Sequence, residues 1–184
     1  MEAHRSPQRR RETAKRHPEG IGEHPLTDRG QLVLLAVFAA VWIADSFIVH
    51  ATDFLSGTVA AAIRWPVGAA VMIASGLLAF FAHRTIFAGA ERSPRLITGG
   101  AYAIVRHPLY LGSWLFLVGL TLTTLSLASA AVNVLTLAFY LWVSRFEEKL
   151  LLETFGPSYR AYQARTPMFF PLKVRSTRCW TLLS

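Results

Sequence analysis

Two short runs of this 184-residue chain carry residue types that do chemistry: Arg106-His107-Pro108-Leu109-Tyr110 and the adjacent pair Glu147-Glu148. A guanidinium beside an imidazole can grip a carboxylate through charge-assisted hydrogen bonds. Two neighbouring carboxylates repel one another unless a cation or hydroxyl donors fill the gap between them, so a Glu pair suits an ammonium group or sugar hydroxyls. Tyr102 and Tyr110 bracket the basic pair, and Gly99-Gly100 ahead of it permits a close backbone approach or a positive φ. Together these groups favour a zwitterionic ligand with an aromatic portion held between apolar walls. Each run also has a plainer reading. A basic pair followed by proline resembles a membrane-anchored helix start, and a Glu pair beside Arg145 and Lys149 suits a solvated helix surface.

The two runs lie far apart in sequence, so other elements must bring them together. Composition says what kind: 53% of residues are hydrophobic and 16% charged, against about a quarter charged in an ordinary soluble domain. Residues 31–50 and 65–83 each have the length and apolarity of a membrane span, with Pro66 expected in the first turn of the second, where its missing N–H costs little. The apolar stretch 109–143 is too long for one crossing. A weak turn signal across residues 121–129 divides it into a hairpin, 109–126 and 129–144, which returns Glu147-Glu148 to the side of Arg106–Tyr110. Residues 145–165 change character: Phe146, Leu150, Leu151 and Thr154 give a rough helical stripe, Gly156 is a natural stop and Pro157 starts the next element. The expected fold is all-α: a polytopic membrane helix bundle of about four transmembrane helices, one pair a tight hairpin, with cytoplasmic C-terminal helices.

Charge placement fixes an orientation. The net charge is +8, and of the basic residues seven lie in 1–30, four in 84–106 and seven in 145–184, leaving only Arg64 elsewhere. Basic residues that flank apolar spans follow the positive-inside rule, which puts both termini in the cytoplasm and turns 51–63 and 122–130 away from it. The same pattern argues against nucleic acid as the partner of a basic chain. Residues 1–28 read as a disordered basic tail near anionic membrane lipids, residues 29–171 as the membrane domain and 172–184 as a C-terminal tail. Residues 31–50 are too long and lack the cleavage site of a secretory signal. Cys179 is the single cysteine, which leaves no intramolecular disulfide, thiolate metal cluster or prenylation box. Asp45, inside the first span, is either a functional intramembrane carboxylate or a solvated one at the interface.

The run Leu96-Ile97-Thr98-Gly99-Gly100-Ala101-Tyr102, continued by Arg106-His107-Pro108-Leu109-Tyr110-Leu111-Gly112, resembles the signature of the isoprenylcysteine carboxyl methyltransferase family. The later residues Glu147-Glu148, Phe155-Gly156, Tyr159, Tyr162 and Arg165-Thr166-Pro167 are similar to that family's C-terminal block, so the resemblance covers residues 65–171. It implies S-adenosylmethionine as the methyl donor. It further implies that Pro94, Arg95, Leu96, Ile97, Tyr102, His107, Pro108, Leu109 and Tyr110 line its site beside Arg106, with Glu147 closing it and Glu148 adjacent. The acceptor would be a carboxylate or other nucleophile on a lipophilic or lipidated molecule arriving from the membrane. A carboxylate is ionised near neutral pH and needs no base; an amine or thiol would need one, with Tyr110 or His107 as the candidates. Three positions depart from the family pattern: Phe87, where the family often has a polar residue; Pro94, where it often has histidine; and Val143, where its eukaryotic members place a substrate-facing arginine. Arg145 is the nearest cation to take that role, two residues round the helix.

Two other readings stand beside this one. Membrane sterol reductases share a related helical core and an R-H-x-x-Y patch but bind a nicotinamide cofactor; they carry an acidic residue soon after the tyrosine, where this chain has Leu111-Gly112-Ser113-Trp114. The other is a non-enzymatic membrane scaffold or carrier. Oligomeric state is left open.

Overall fold

The computed structural model describes residues 25–88 and 96–170, and among these every regular element is helical. Helix α1 (Pro25–Ile43) runs into a π-helical turn, Ala44–Val49, and a 3-10 turn follows at Phe54–Gly57. Helix α2 is Ala61–Ala88, a 3-10 turn occupies Gly100–Ala103, and α3 (Pro108–Thr124), α4 (Leu127–Phe155) and α5 (Pro157–Gln163) complete the chain. The segments Arg29–Val49, Ala61–Phe87 and Leu127–Phe155 are long and apolar enough to cross a bilayer. The fourth helix, α3, has 17 residues, about 26 Å at 1.5 Å per residue and so at the short limit for a span. The chain is a multi-pass, all-α membrane protein.

Several expected boundaries move. The tail expected through residue 28 is helical from Pro25; the rest of that tail, Pro94, Arg95 and residues 172–184 lie outside the described residues. Helix α2 begins four residues before Trp65, so Pro66 lies inside the helix rather than in its opening turn, and Ala62 loses the amide donor it would otherwise have. The hairpin link is only Leu125-Ser126. Leu125 adopts a left-handed conformation (φ 56°) and donates to the Thr121 carbonyl, while the Ser126 hydroxyl caps α4 by accepting from the Ser129 amide at 3.1 Å. The second span of the hairpin, expected to end at 144, continues as one helix: α4 runs unbroken to Phe155, because nothing between Val143 and Glu153 breaks a helix. Gly156 (φ 54°) does stop it, and Pro157 opens α5.

Polarity runs inside out, as lipid requires. Buried positions include Ser75, Thr123, Ser126, Ser129, Asn133, Thr136 and Ser144, whereas Leu32, Ile48, Ile73 and Val134 are more than 60% exposed. Helix packing then relies on close approach and internal hydrogen bonds rather than on apolar burial. Helices α2 and α3 cross where a side chain on Gly68 would meet the Gly119 carbonyl at 2.7 Å, and one turn pair further along Ser75 donates to the Gly112 carbonyl at 2.8 Å. Helix α3 is tied to α4 by Trp114, whose Nε1 donates to the Asn133 carbonyl at 3.1 Å, and by Asn133, whose Nδ2 donates to Thr121 Oγ1 at 2.7 Å. Helix α1 lies against α4, with Phe38, Leu117 and Val132 packed between helices.

The far end of the hairpin is clasped by Asp45, which is 6% exposed rather than solvated. It accepts from the Thr52 amide (2.9 Å), the Thr52 hydroxyl (2.6 Å) and the Ser126 hydroxyl (2.5 Å), while Thr52 accepts in turn from the Ala128 amide. Arg64, the one basic residue outside the three clusters, directs Nη1 to the Thr124 carbonyl at 3.5 Å, at the C-terminus of α3 where a cation complements the helix dipole.

Candidate active site

The opposite end of the hairpin carries the two chemical runs. Helix α4 has 29 residues against 17 in α3, so its last three turns project beyond the start of α3 and hold Glu147 and Glu148 over it. Helix α5 and the segment after it fold back onto the same place. The Arg106 and His107 amides donate to the Pro167 carbonyl (2.9 Å) and the Met168 carbonyl (3.2 Å), and Tyr162 donates its hydroxyl to the Tyr102 carbonyl at 2.6 Å. Pro108 opens α3, where its missing N–H costs little.

Within this frame Arg106 and Glu148 form a buried ion pair, Nε to Oε1 at 2.8 Å, whose N–H is not aligned for a hydrogen bond. Arg106 also donates through Nη1 to the carbonyls of Gln163 and Thr166, both at 3.0 Å, at the C-terminal end of α5. Glu148 is 8% exposed and accepts from Gln163 Nε2 at 3.0 Å. Glu147 accepts the Tyr110 hydroxyl. His107 sits between the two carboxylates, with Nδ1 3.5 Å from Glu147 and Nε2 3.4 Å from Glu148. Its ring also belongs to a column of near-parallel rings, Phe169–His107–Tyr110–Tyr140, with centroids 6.0, 5.9 and 5.1 Å apart. The Tyr102 phenol is pushed up to about 12 by its burial and, less, by the Glu147 charge. Burial likewise pushes the Tyr159 and Tyr162 phenols up, away from ionisation at neutral pH.

Of the residues expected from sequence, Tyr102, Arg106, His107, Tyr110, Glu147 and Glu148 converge here. Pro108 is buried and Leu109 half-buried beside them, and Leu96 and Ile97 are half-buried in the extended stretch before the Gly100–Ala103 turn. Arg145 is exposed, and none of the ion pairs among the described residues involves it. The sequence reading did not anticipate Gln163 or Phe169, which contact the cluster directly, or Tyr140, the end of its ring column. It also missed two buried hydroxyls that have no hydrogen-bond partner among the described residues, Tyr159 Oη and Ser144 Oγ. Ser144 lies one turn before Glu148 on α4, and Tyr159 is close enough to Glu148 and Arg106 to feel both charges. The expected stripe of Phe146, Leu150, Leu151 and Thr154 is not the packing face: Phe146 and Thr154 are exposed, and Val143, Ser144 and Glu148 are buried instead.

The arrangement offers a cation and an imidazole, two carboxylates, a wall of aromatic rings and unfilled hydroxyls, all at one end of a membrane bundle. Residues 57–158, more than half of the chain, match the model of a family described as phospholipid methyltransferase. The chain is similar to the cobalt-zinc-cadmium resistance protein CzcN of Cupriavidus metallidurans, 37% identical over 53% of this chain and 46% of that protein. It is 38% identical to a methanethiol S-methyltransferase of Pseudomonas deceptionensis over 45% of this chain and 29% of the relative. It is 36% identical to the protein-S-isoprenylcysteine O-methyltransferase of Schizosaccharomyces pombe over 42% of this chain and 33% of the relative. The matched regions thus span less than half the length of these relatives, and no solved structure matches the chain. With its site at the membrane edge and more than half its length under the family model, the chain belongs to the phospholipid methyltransferase family, the isoprenylcysteine-methyltransferase-like membrane methyltransferases included.

Proposed function

We propose that this chain is an S-adenosylmethionine-dependent methyltransferase that acts at the cytoplasmic edge of the membrane on a nucleophile of a lipophilic acceptor. The observation that carries the reading is the convergence of Arg106, His107 and Tyr110 with Glu147 and Glu148. Members of the family generally use S-adenosylmethionine, and the side chains present fit it. Arg106 and His107 are suited to the carboxylate of its amino-acid end. Glu147 and Glu148 are suited to its ammonium and ribose hydroxyls, and the rings of Tyr102, Tyr110 and Phe169 to a flat purine. Among the described residues the buried hydroxyls of Tyr159 and Ser144 have no hydrogen-bond partner, and a polar ligand group would supply one. When bound, S-adenosylmethionine supplies an electrophilic methyl carbon, whose bond to a carboxylate oxygen forms as the sulfonium takes back its electron pair, with no proton to move.

The chain's own contribution is placement. Arg106 fixes the 163–168 segment over the start of α3 by donating to the Gln163, Thr166 and Pro167 carbonyls, so the ligand groups are set before any substrate arrives, and alignment of this kind can supply much of the rate. Relatives act by their names on a thiol and on a carboxyl group; a thiol acceptor would call on His107 or Tyr110 to take its proton, a carboxylate on neither. The clusters of basic residues support cytoplasmic termini.

Calorimetric titration of the detergent-solubilised chain with S-adenosylmethionine tests the reading. Binding is expected, and His107→Ala and Glu147→Ala should each weaken it about tenfold or more, the loss of one charge-assisted contact. No heat with S-adenosylmethionine but saturable heat with NADPH would replace the methyltransferase by a reductase.

A further inference from the structure

The end of the bundle away from Glu147 holds a second polar junction, where α1, α2 and the hairpin turn meet. Trp42 donates Nε1 to Thr124 Oγ1 at 3.1 Å, and Asp45 accepts the Ser126 hydroxyl, so the end of α1 and its π-helical turn lie across the Thr124–Ser126 link. Arg64 reaches the same link from α2, but its hold is slight: Nη1 stands 3.5 Å from the Thr124 carbonyl, long for a hydrogen bond. Arg64 Nε is buried with no hydrogen-bond partner among the described residues. So is the hydroxyl of Ser46, which sits between Asp45 and Phe47 in the chain and is 7% exposed. A buried guanidinium N–H and a buried hydroxyl, each with a proton to donate, call for an oxygen-rich anion.

The local charge agrees. Arg64 lies in the first turn of α2, where the helix dipole adds to its positive field. Residues 44–64 and 117–134, which build this end, contain only two acids, Asp45 and Asp53. Asp45 is taken up by Thr52 and Ser126, Asp53 lies 2.7 Å from His50, and neither is within ion-pair distance of Arg64. Depth in the membrane names the source of the anion. Arg64 opens the apolar segment Ala61–Phe87, and the residues beside the two donors, Phe47 and Trp65, are 55% and 52% exposed. Aromatic rings at the end of a span sit at the level of lipid head groups.

We infer that Arg64 and Ser46 form a site for the phosphate of a membrane phospholipid, in the leaflet opposite the charged cluster, with Phe47 and Trp65 against the first carbons of its chains. Helix α3 puts about 24 Å between Pro108 and Thr124, at 1.5 Å per residue, so this lipid is held and not methylated. The site therefore stands apart from the methyltransferase reading. Its occupant supplies the acceptor that Arg64 and Ser46 lack, and so ties α1 and α2 to the hairpin turn.

The test uses the full chain in dodecylmaltoside, a detergent without phosphate, and dioleoylphosphatidylglycerol as the probe. Native mass spectrometry reads the bound lipid, and the unfolding midpoint reads its effect. The parent should retain the lipid and gain in midpoint. Arg64→Gln should weaken its retention about tenfold, the value of one charge-assisted contact, and Ser46→Ala about fivefold. Lys149→Gln, which removes an exposed cation at the opposite end, should leave it in place. Dioleoylglycerol, with the same chains and no phosphate, should neither bind there nor raise the midpoint, and inorganic phosphate should not displace the lipid. Lipid-free unfolding midpoints equal to the parent's show that the variants are folded; if Arg64→Gln is not, Arg64→Lys, which keeps the charge and loses Nε, and Ser46→Ala carry the same comparison. Equal retention in the Arg64 and Ser46 variants, or equal binding of dioleoylglycerol, would overturn the assignment, and displacement by inorganic phosphate would replace the lipid by a free anion. Titration with S-adenosylmethionine should give the same result in Arg64→Gln as in the parent, whether or not the parent binds it.

Discussion

Arg106 and Glu148 are nine-tenths buried and 2.8 Å apart, so removing one is expected to cost more than removing both. In Arg106→Met, Glu148 keeps Gln163 and the long contact to His107, but loses its guanidinium, and the Gln163 and Thr166 carbonyls lose a donor. Stranding one member of a buried pair costs about 3–5 kcal/mol, and a remaining exposure near one tenth places this case at about 3 kcal/mol. Glu148→Leu strands the guanidinium instead, which still has two carbonyls to satisfy, so about 2 kcal/mol is expected. The double variant, Arg106→Met with Glu148→Leu, exchanges two charges for two apolar side chains of similar length, and should lose only about 1–2 kcal/mol, well short of the additive 5 or so. Equilibrium unfolding in mixed dodecylmaltoside–dodecylsulfate micelles, read by tryptophan fluorescence, gives all four stabilities. Costs that simply add, within about 0.5 kcal/mol, would show that the two charges are not coupled and that the geometry drawn from them is wrong. Affinity for S-adenosylmethionine should not follow stability: the double variant should recover its fold and remain unable to bind.

Three further outcomes follow from named contacts. Gly119→Val drives a side chain into Met72 and into the Gly68 backbone, and should cost about 3 kcal/mol in the same unfolding assay, the upper end for overpacking, whereas Gly57→Ala, whose Cβ meets nothing, should cost much less. Asp45→Ala leaves the Thr52 amide and two hydroxyls facing a vacancy, so about 3 kcal/mol of stability should go while S-adenosylmethionine affinity stays at the parent value; a fall in affinity would mean that Asp45 reaches the site. Tyr102 holds its proton more tightly in the fold, to about 12, than in the unfolded chain, where tyrosine titrates near 10. Its contribution to stability is therefore whole below pH 10 and lost as pH rises toward 12, and Tyr102→Phe should flatten that part of the unfolding curve. An alkaline limb unchanged by the substitution would place the phenol in water.

What the sequence disclosed and what it hid divide along physical lines. Span length, the glycine stop at Gly156 and the proline start at Pro157 are local properties, and they were legible. So was the meeting of Arg106–Tyr110 with Glu147-Glu148, because a hairpin of two spans returns to the side it left. The continuity of α4 was not legible, since a shift from apolar to charged residues resembles a boundary although a helix tolerates it. Phe146 and Leu150 misled as well: Phe146 is exposed and Leu150 half-buried, because the ion pair with Arg106 turns Glu148 and its neighbour Ser144 to the inner face. Gln163 and Phe169 carried no local signal. Their places come from the Arg106 and His107 amides reaching the Pro167 and Met168 carbonyls, a pairing between segments that no spacing announces. Pro66 shows the limit on boundaries, since a proline is compatible with the second turn of a helix as well as its first when the carbonyl it leaves without a donor, here that of Ala62, lies at the helix end.

A buried ion pair and a histidine between carboxylates add little net stability, because desolvation offsets most of their attraction; apolar side chains would hold α3, α4 and α5 together as well. The Tyr159 hydroxyl sharpens the point. It is buried among charges and has no hydrogen-bond partner among the described residues, a state that costs about 1–3 kcal/mol and is relieved by whatever polar group later pairs with it. Tyr159→Phe keeps the ring and removes the unpaired group, so the ligand-free chain should become more stable, by about 1 kcal/mol. The same change should weaken S-adenosylmethionine binding and shrink the stabilisation that saturating ligand confers, which is about 2.7 kcal/mol at a hundredfold excess over Kd. A packing residue gives the opposite pattern, with stability lost and affinity kept. Unfolding with and without ligand, on the parent and on this one variant, therefore decides whether the polar end of the bundle is built for holding helices or for holding a ligand.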